Sequence, residues 1–570
     1  MNGARWFTVL AVACGVSLTA LNATKVQPAP AAVQAPVAAV NPTTEPSWDP
    51  TLVEGPSPVA AVNPTTEPSS PEASALNESS EGSAAPTTTR SARRTTPSAS
   101  VTKAELAAAF QRLETAVADG PGGLSRTELN RRFDGLTLLF FQNRLVEAVD
   151  ALDALTLDVL EVQDADERAD LLRAMQVRVA PARSALRADE ASMAVSVALP
   201  RSGLGTPITL RAGGGQPFEV TPPATVTLAM GEDAGARTID VRLAKDPASD
   251  WMRIRMVPVT EASPDELRQR AERAIELAAA SGRCTPTDLV EARFRAALLT
   301  NEASPRRTIQ LVMDQSRIWS MVREDLARLE RGEPLFVGRR GDQWRVIEVG
   351  GVNLPCRIVV PDSVRDGSSP PLVIALHGAG GDECMFFSAY GQGEIVRQAE
   401  RLGCVVVAPN TTVFATSPLL FDGLVDRLAQ EWGIDRARVA VVGHSMGAAA
   451  TASIVCARPE AIARAALLAG WGGFGGVPGT GRSGMDEAAI RELPPIRVEL
   501  GALDPLMQAS RISAAARSLR DRGACIECTV HEGEGHTMIV PQVLPSVMDW
   551  LIVPPAAMPA LPEASPAPAP

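Results

Sequence analysis

Histidine is scarce in this chain: 570 residues hold four of them, His377, His444, His531 and His536. Any reaction that needs an imidazole therefore has few places to occur. Tyrosine is rarer still, with one residue and no pattern attached to it. No block of basic residues stands out and the net charge is −12, which argues against nucleic acid as a partner. Eight cysteines leave seven once Cys14 is set aside, so a fully paired disulfide framework is ruled out within the chain. The spacing of Cys525 and Cys528 is that of a redox pair, but it opens a strand rather than a helix, which argues against thioredoxin-like chemistry. The N-terminal apolar run from Trp6 to Leu21 is short for a membrane span, which needs roughly 20 residues.

With Arg5 before it and Ala23 after it, that run reads as a secretory signal over 1–23. An uncleaved anchor is the alternative, tethering the chain to a membrane or envelope. Residues 24–100 are rich in Pro, Ala, Ser and Thr, and the stretch Val37–Ser47 recurs at Val59–Ser69. Such composition buries too little apolar surface to offset chain entropy, so a disordered linker is expected there. The Pro/Ala tail over 556–570 is expected to behave alike.

Between these ends the hydrophobic period changes several times. Residues 101–190 read as a helical domain, with a capping box at Ser125–Glu128 and an apolar stripe of Leu129, Phe133, Leu136 and Phe140. The stripe is expected to be the core of a small bundle. Residues 191–262 alternate with period two and read as a small antiparallel β-domain. Residues 263–335 return to helix, opened by Ser263-Pro264-Asp265-Glu266. From 336 to 555 an antiparallel hairpin precedes strands that alternate with helices, the pattern of a doubly wound sheet.

The chemistry-bearing stretch is Gly443-His444-Ser445-Met446-Gly447. It lies between the apolar run Val439–Val442 and a small-residue helix, as a nucleophile elbow requires. A serine nucleophile needs a base, and the base an orienting acid. His444 sits inside the elbow, His377 opens a glycine-rich loop and His531 lies within a strand. His536, in Gly533-Glu534-Gly535-His536, is left as the base. Asp504, at the end of the strand Arg497–Leu500, is the expected acid, with Glu499 and Asp549 as alternatives. Backbone N–H groups of Met446 and of Ala379, with Gly380 second, are expected to form the oxyanion hole. His377 is expected to brace that loop. Trp471, Phe474, Phe386 and Phe387 fit either a substrate wall or the core. A base that must be neutral to act predicts activity rising from acid to neutral pH.

The His377 loop, Ser445 with its glycines, Asp504 and His536 resemble the α/β-hydrolase superfamily. Within it the chain is similar to secreted esterases of the polyhydroxybutyrate-depolymerase-like, feruloyl-esterase-like and dienelactone-hydrolase-like kinds. The resemblance covers under half the chain. It implies an α/β fold, an acyl-enzyme route to ester hydrolysis, a small-molecule or polymeric ester substrate, and no cofactor or metal. A prolyl-oligopeptidase-like peptidase shares the fold and residue order, and an inactive envelope interaction protein is the alternative of another class. Every assigned catalytic group follows residue 336, so that segment is expected to hold the chemistry by itself.

Overall fold

A computed structural model describes residues 101–176, 263–299, 315–472, 474 and 485–553, apart from 102, 119 and 121, together with the strands between 178 and 259 and a few residues beside them. The expected signal over 1–23, linker over 24–100 and tail over 556–570 lie outside the described residues.

An eight-stranded mixed sheet organises the C-terminal half. Its strands are β1 (Gly341–Val349), β2 (Val352–Val360), β3 (Leu372–Leu376), β4 (Val405–Pro409), β5 (Val439–His444), β6 (Arg464–Leu468), β7 (Ile496–Gly501) and β8 (Ile526–His531). Their order is β1-β2-β4-β3-β5-β6-β7-β8. The β1–β2 and β2–β4 pairs are antiparallel, and every later pair is parallel. The inner strands are buried on both faces, which explains why they read as unbroken apolar runs.

Strand pleating still sorts their side chains. Leu372, Ile374 and Leu376 join one core with Leu424 and Leu428, Ala452 and Val455, and Ile512 and Leu519. Those partners lie on α-helices that fill one side of the sheet. Val373 and Ala375 join the opposite core, with Ile395, Ala399, Val543 and Val547. The sheet with helices on both faces is the α/β-hydrolase fold.

Upstream, three helices make a hairpin-like group: α1 (Lys103–Ala118), α2 (Arg126–Phe141) and α3 (Leu145–Val159), followed by α4 (Ala165–Met175). Ser125 caps α2 by accepting the Glu128 N–H. The helical segment stops at Met175, short of the expected 190, because Arg178–Pro181 and Ala185–Arg187 are strands. Their Ala- and Arg-rich sequence favours helix locally, and sheet pairing overrides that preference. The strands up to Val259 form antiparallel sheets of three and four strands and one parallel pair.

Three further helices, α5 (Pro264–Ser281), α6 (Pro286–Ala297) and α7 (Gln315–Arg331), pack against β1. Ser263 and Glu266 form the expected capping box. Trp319, Val322, Leu326 and Leu329 of α7 share a core with Trp344 and Val346 of β1. A buried ion network crosses this junction. Arg345 of β1 is fully buried, bidentate to Glu291 of α6 at 2.7 and 2.8 Å, and also pairs with Glu431. Removing one partner would strand a buried charge, so this network locks the register of helices against sheet. The helical segment 263–335 therefore packs on the hydrolase sheet.

Candidate active site

Ser445 sits where β5 turns into the helix α8 (Met446–Ala457), with φ 55 and ψ −114. A non-glycine residue at such angles is strained, and the strain aims the hydroxyl out of the turn. Gly447 is required by contact rather than by angle: a Cβ there would lie 1.9 Å from the Leu376 carbonyl oxygen. The elbow glycine thus lets α8 close down on β3.

Ser445, His536 and Asp504 form one hydrogen-bonded chain. Ser445 Oγ lies 3.0 Å from His536 Nε2, and His536 Nδ1 lies 2.7 Å from Asp504 Oδ2. The acid faces Nδ1 with acceptors only, so Nδ1 carries the proton and Nε2 is free to accept one. Asp504 is itself fixed, since its Oδ1 accepts the Leu506 and Met507 N–H groups at 2.8 and 2.9 Å. All three residues are buried. The alternative acids are engaged elsewhere. Glu499 pairs with Arg497 and with His531, whose Nε2 is 2.5 Å away. Asp549 pairs with Arg401 on the surface.

The other two buried histidines are braces. His377 Nε2 accepts the Thr411 N–H at 2.9 Å, so its Nδ1–H donates to the Gly378 carbonyl at 2.9 Å. His377 thus holds the Gly378–Gly381 loop, and burial lowers its pKa to about 4. His444 Nε2–H donates to the His536 carbonyl at 3.0 Å, which leaves Nδ1 to accept the Tyr390 hydroxyl at 2.7 Å. Burial lowers the His444 pKa to about 3, so it stays neutral. The single tyrosine, without meaning in the sequence, donates to the nitrogen that this tautomer leaves free.

A cavity of about 150 Å³ opens on Ser445 and His536. Ala379 and Gly380 line it beside the serine, and Met446 is the first residue of α8, directly after Ser445. Its remaining walls differ from the expected ones. Leu106 and Phe110 of α1, and Phe133, Leu136, Phe140 and Phe141 of α2, cover it. The stripe expected to be only a bundle core therefore has two duties. Leu129 faces α1 and α3, Phe133 and Leu136 share that core and also line the cavity, and Phe140 reaches the cavity.

The four aromatics weighed as substrate wall lie elsewhere. Phe386 and Phe387 are buried in the core beneath the sheet, with Ile395 and Val543. Trp471 and Phe474 stack on each other at 4.9 Å and pack on the opposite core. Large aromatics one turn past a loop are drawn into the nearest core, and the wall comes instead from helices remote in sequence. No local signal in the sequence linked those helices to Ser445.

Among the described residues no disulfide forms, and Cys525 and Cys528 are both free thiols. No group of three or more His, Cys, Asp or Glu is placed to hold a metal ion among those residues.

Sheet order, the strand-to-helix elbow and the order of the three residues along the chain are those of the α/β-hydrolase fold. No family model matches the chain, and no curated protein matches it. Among solved structures it is similar to an esterase of Pyrobaculum calidifontis, at 18% identity over 38% of this chain and 85% of that chain, TM-score 0.30. Est1E from Butyrivibrio proteoclasticus aligns at 13% identity over 38% of this chain and 100% of that one, TM-score 0.29. The fluorophosphonate-binding serine hydrolase FphF of Staphylococcus aureus aligns at 17% identity over 37% and 97%, TM-score 0.31.

Proposed function

We propose that the protein is an exported serine hydrolase that cleaves carboxylic esters with an apolar acyl or alcohol part. The observation that carries this reading is the Ser445–His536–Asp504 chain at 3.0 and 2.7 Å on a strained strand-to-helix turn. His536 Nε2 takes the hydroxyl proton as Ser445 Oγ attacks the ester carbonyl. Asp504 holds the imidazole tautomer and stabilises its charged form. Main-chain N–H groups of Met446 and Ala379, with Gly380 as the second candidate in that loop, stabilise the tetrahedral oxyanion. The proton then passes to the leaving alcohol, an acyl-Ser445 ester remains, and water activated by His536 releases the acid. The preference for apolar groups follows from the phenylalanine and leucine walls of the cavity.

Export rests on the N-terminal signal pattern alone. No helix among the described residues is long and apolar enough to cross a membrane. The peptidase reading is weaker, because the strands over 178–259 form sheets of three, two and four strands rather than repeated blades. Hydrolysis of a graded series of p-nitrophenyl esters, alongside feruloyl, acetyl-sugar and hydroxybutyrate esters and peptide amides, tests the reading. Ester turnover that depends on Ser445 supports it. Turnover of peptides alone, or of nothing, overturns it.

A further inference from the structure

His536 is held by more than its acid. Its carbonyl accepts from His444, and its N–H points at Asp134 of α2, 402 residues earlier in the chain. Both Asp134 oxygens lie 3.1 Å from that nitrogen. Asp134 is buried, and so is its neighbour Asn130 one turn earlier. Asn130 Oδ1 accepts the Gly535 N–H at 2.9 Å, and its Nδ2 donates to the Gly533 carbonyl at 3.0 Å. Another turn back, Arg126 grips the Glu534 carboxylate at 2.8 and 3.0 Å and the Met538 carbonyl at 2.7 Å. Arg126, Asn130 and Asp134 are spaced by four, so they form one stripe along one face of α2. That stripe covers the whole loop 533–538. Gly535 is the residue that allows the approach, since a Cβ there would lie 2.1 Å from Asp134 Oδ2.

We infer that Asp134 is a positioning residue for His536, and that the stripe it ends makes α2 a working part of the site rather than a separate domain. The inference rests on the serine-hydrolase reading above. With His444 on its carbonyl, Asp504 on Nδ1 and Asp134 on its N–H, every other polar group of His536 is held while Nε2 faces Ser445 Oγ. Nε2 is the atom that must meet the serine. Asp134 does more than pack. The charged groups facing it are His536, Asp504 and Glu534, the last held by Arg126. The Asp134 carboxyl, pushed up to about 7 by burial, keeps an oxygen that accepts the His536 N–H whether or not it is ionised.

The test uses the full chain, with Asp134→Ala, Asp134→Asn and Asn130→Ala compared to wild type on one p-nitrophenyl ester. Asp134→Ala leaves the His536 N–H without an acceptor. It should lower kcat by roughly 10- to 100-fold and change KM far less, because it misplaces the base rather than the substrate. Asp134→Asn keeps an acceptor and removes the charge. It should restore most of kcat. Asn130→Ala should slow fluorophosphonate labelling of Ser445. A kcat for Asp134→Ala within about twofold of wild type overturns the inference. If that variant does not fold, fluorophosphonate labelling of Ser445 in Asn130→Ala as fast as in wild type overturns it equally. A wild type that neither turns over ester nor labels overturns the hydrolase reading and this inference with it. An active wild type with unaffected variants overturns this inference alone.

Discussion

The sheet half and the helices α1–α3 serve one cavity in different ways. In the proposed reaction the sheet supplies all the reacting groups: Ser445 after β5, Asp504 after β7 and His536 after β8, each following the carboxyl end of a parallel strand. The helices supply the lid over the cavity and the clamp on the histidine loop, and contribute no nucleophile, base or acid. The two also differ in what a sequence can disclose. A strand-to-helix elbow is a local event, so its residues are adjacent and its glycines mark it. A clamp between residue 134 and residue 536 has no local signature at either end.

Breaking the sheet's chemistry should have the largest effect. Ser445→Ala and Asp504→Asn are each expected to cost on the order of 10⁴-fold in kcat, with the far-ultraviolet spectrum and melting cooperativity retained. Stopped-flow or steady-state ester hydrolysis measures this. Near-normal turnover in Asp504→Asn would move the acid elsewhere.

The seam between the two regions comes next. Gly380 has φ 79, and a Cβ placed on it would lie 2.0 Å from the Phe140 ring. Gly380→Ala should therefore lose activity through collision as well as backbone strain. Phe140→Ala should raise KM for an apolar ester by about tenfold, since a buried phenyl contact is lost. In the double variant the collision is gone, so its loss should be less than the sum of the single losses in free energy. Strict additivity would mean that α2 does not bear on the oxyanion loop.

The same seam should respond to pH. Burial pushes Asp134 from the ordinary 3.8 up to about 7. Glu114 of α1, which accepts the Gly391 N–H at 2.8 Å, is pushed from 4.5 to about 7 by burial as well. A carboxyl whose folded value is raised stabilises the fold at low pH, where it is protonated in both states, and that contribution is lost as pH rises through about 7. Wild-type melting temperature should therefore fall between about pH 4 and 7 more steeply than in Asp134→Asn or Glu114→Gln. Scanning calorimetry across that range reads the difference, and parallel curves would show that these carboxyls do not secure the helices.

The smallest effect should come from Asp549→Asn. Its partner Arg401 is exposed, and surface pairs are worth about 0–1 kcal/mol, so activity and stability should both stay near wild type.

These contrasts match what could be read beforehand. The strands expected at Val439–Val442 and Arg497–Leu500 are found as Val439–His444 and Ile496–Gly501, one or two residues longer at their ends. Apolar runs buried on both faces are hard to mistake when glycine and proline punctuate them. The order Ser445, Asp504, His536 followed from chain order and from the shortage of histidine, and the hydrogen bonds join these three. The walls were not legible. Phe386 and Phe387 lie near the site in sequence, yet sheet packing takes them into the core. Phe140 and Asp134 are remote in sequence, and only the docking of α2 brings them to the cavity. The single tyrosine shows the same limit, since its contacts with His444, Phe386 and the cavity all come from the fold.

The most direct test of the division between the two regions is the rate at which a fluorophosphonate labels Ser445, with the adduct located by peptide mass. It should be measured in the full chain and in a fragment of residues 336–570 shown to be monomeric and to melt cooperatively. The account predicts labelling at Ser445 in both, slower by about 100-fold in the fragment, because the histidine loop loses the α2 clamp and the cavity loses its lid. Equal rates in the two would contradict it, and would return the helices to the role of a separate bundle.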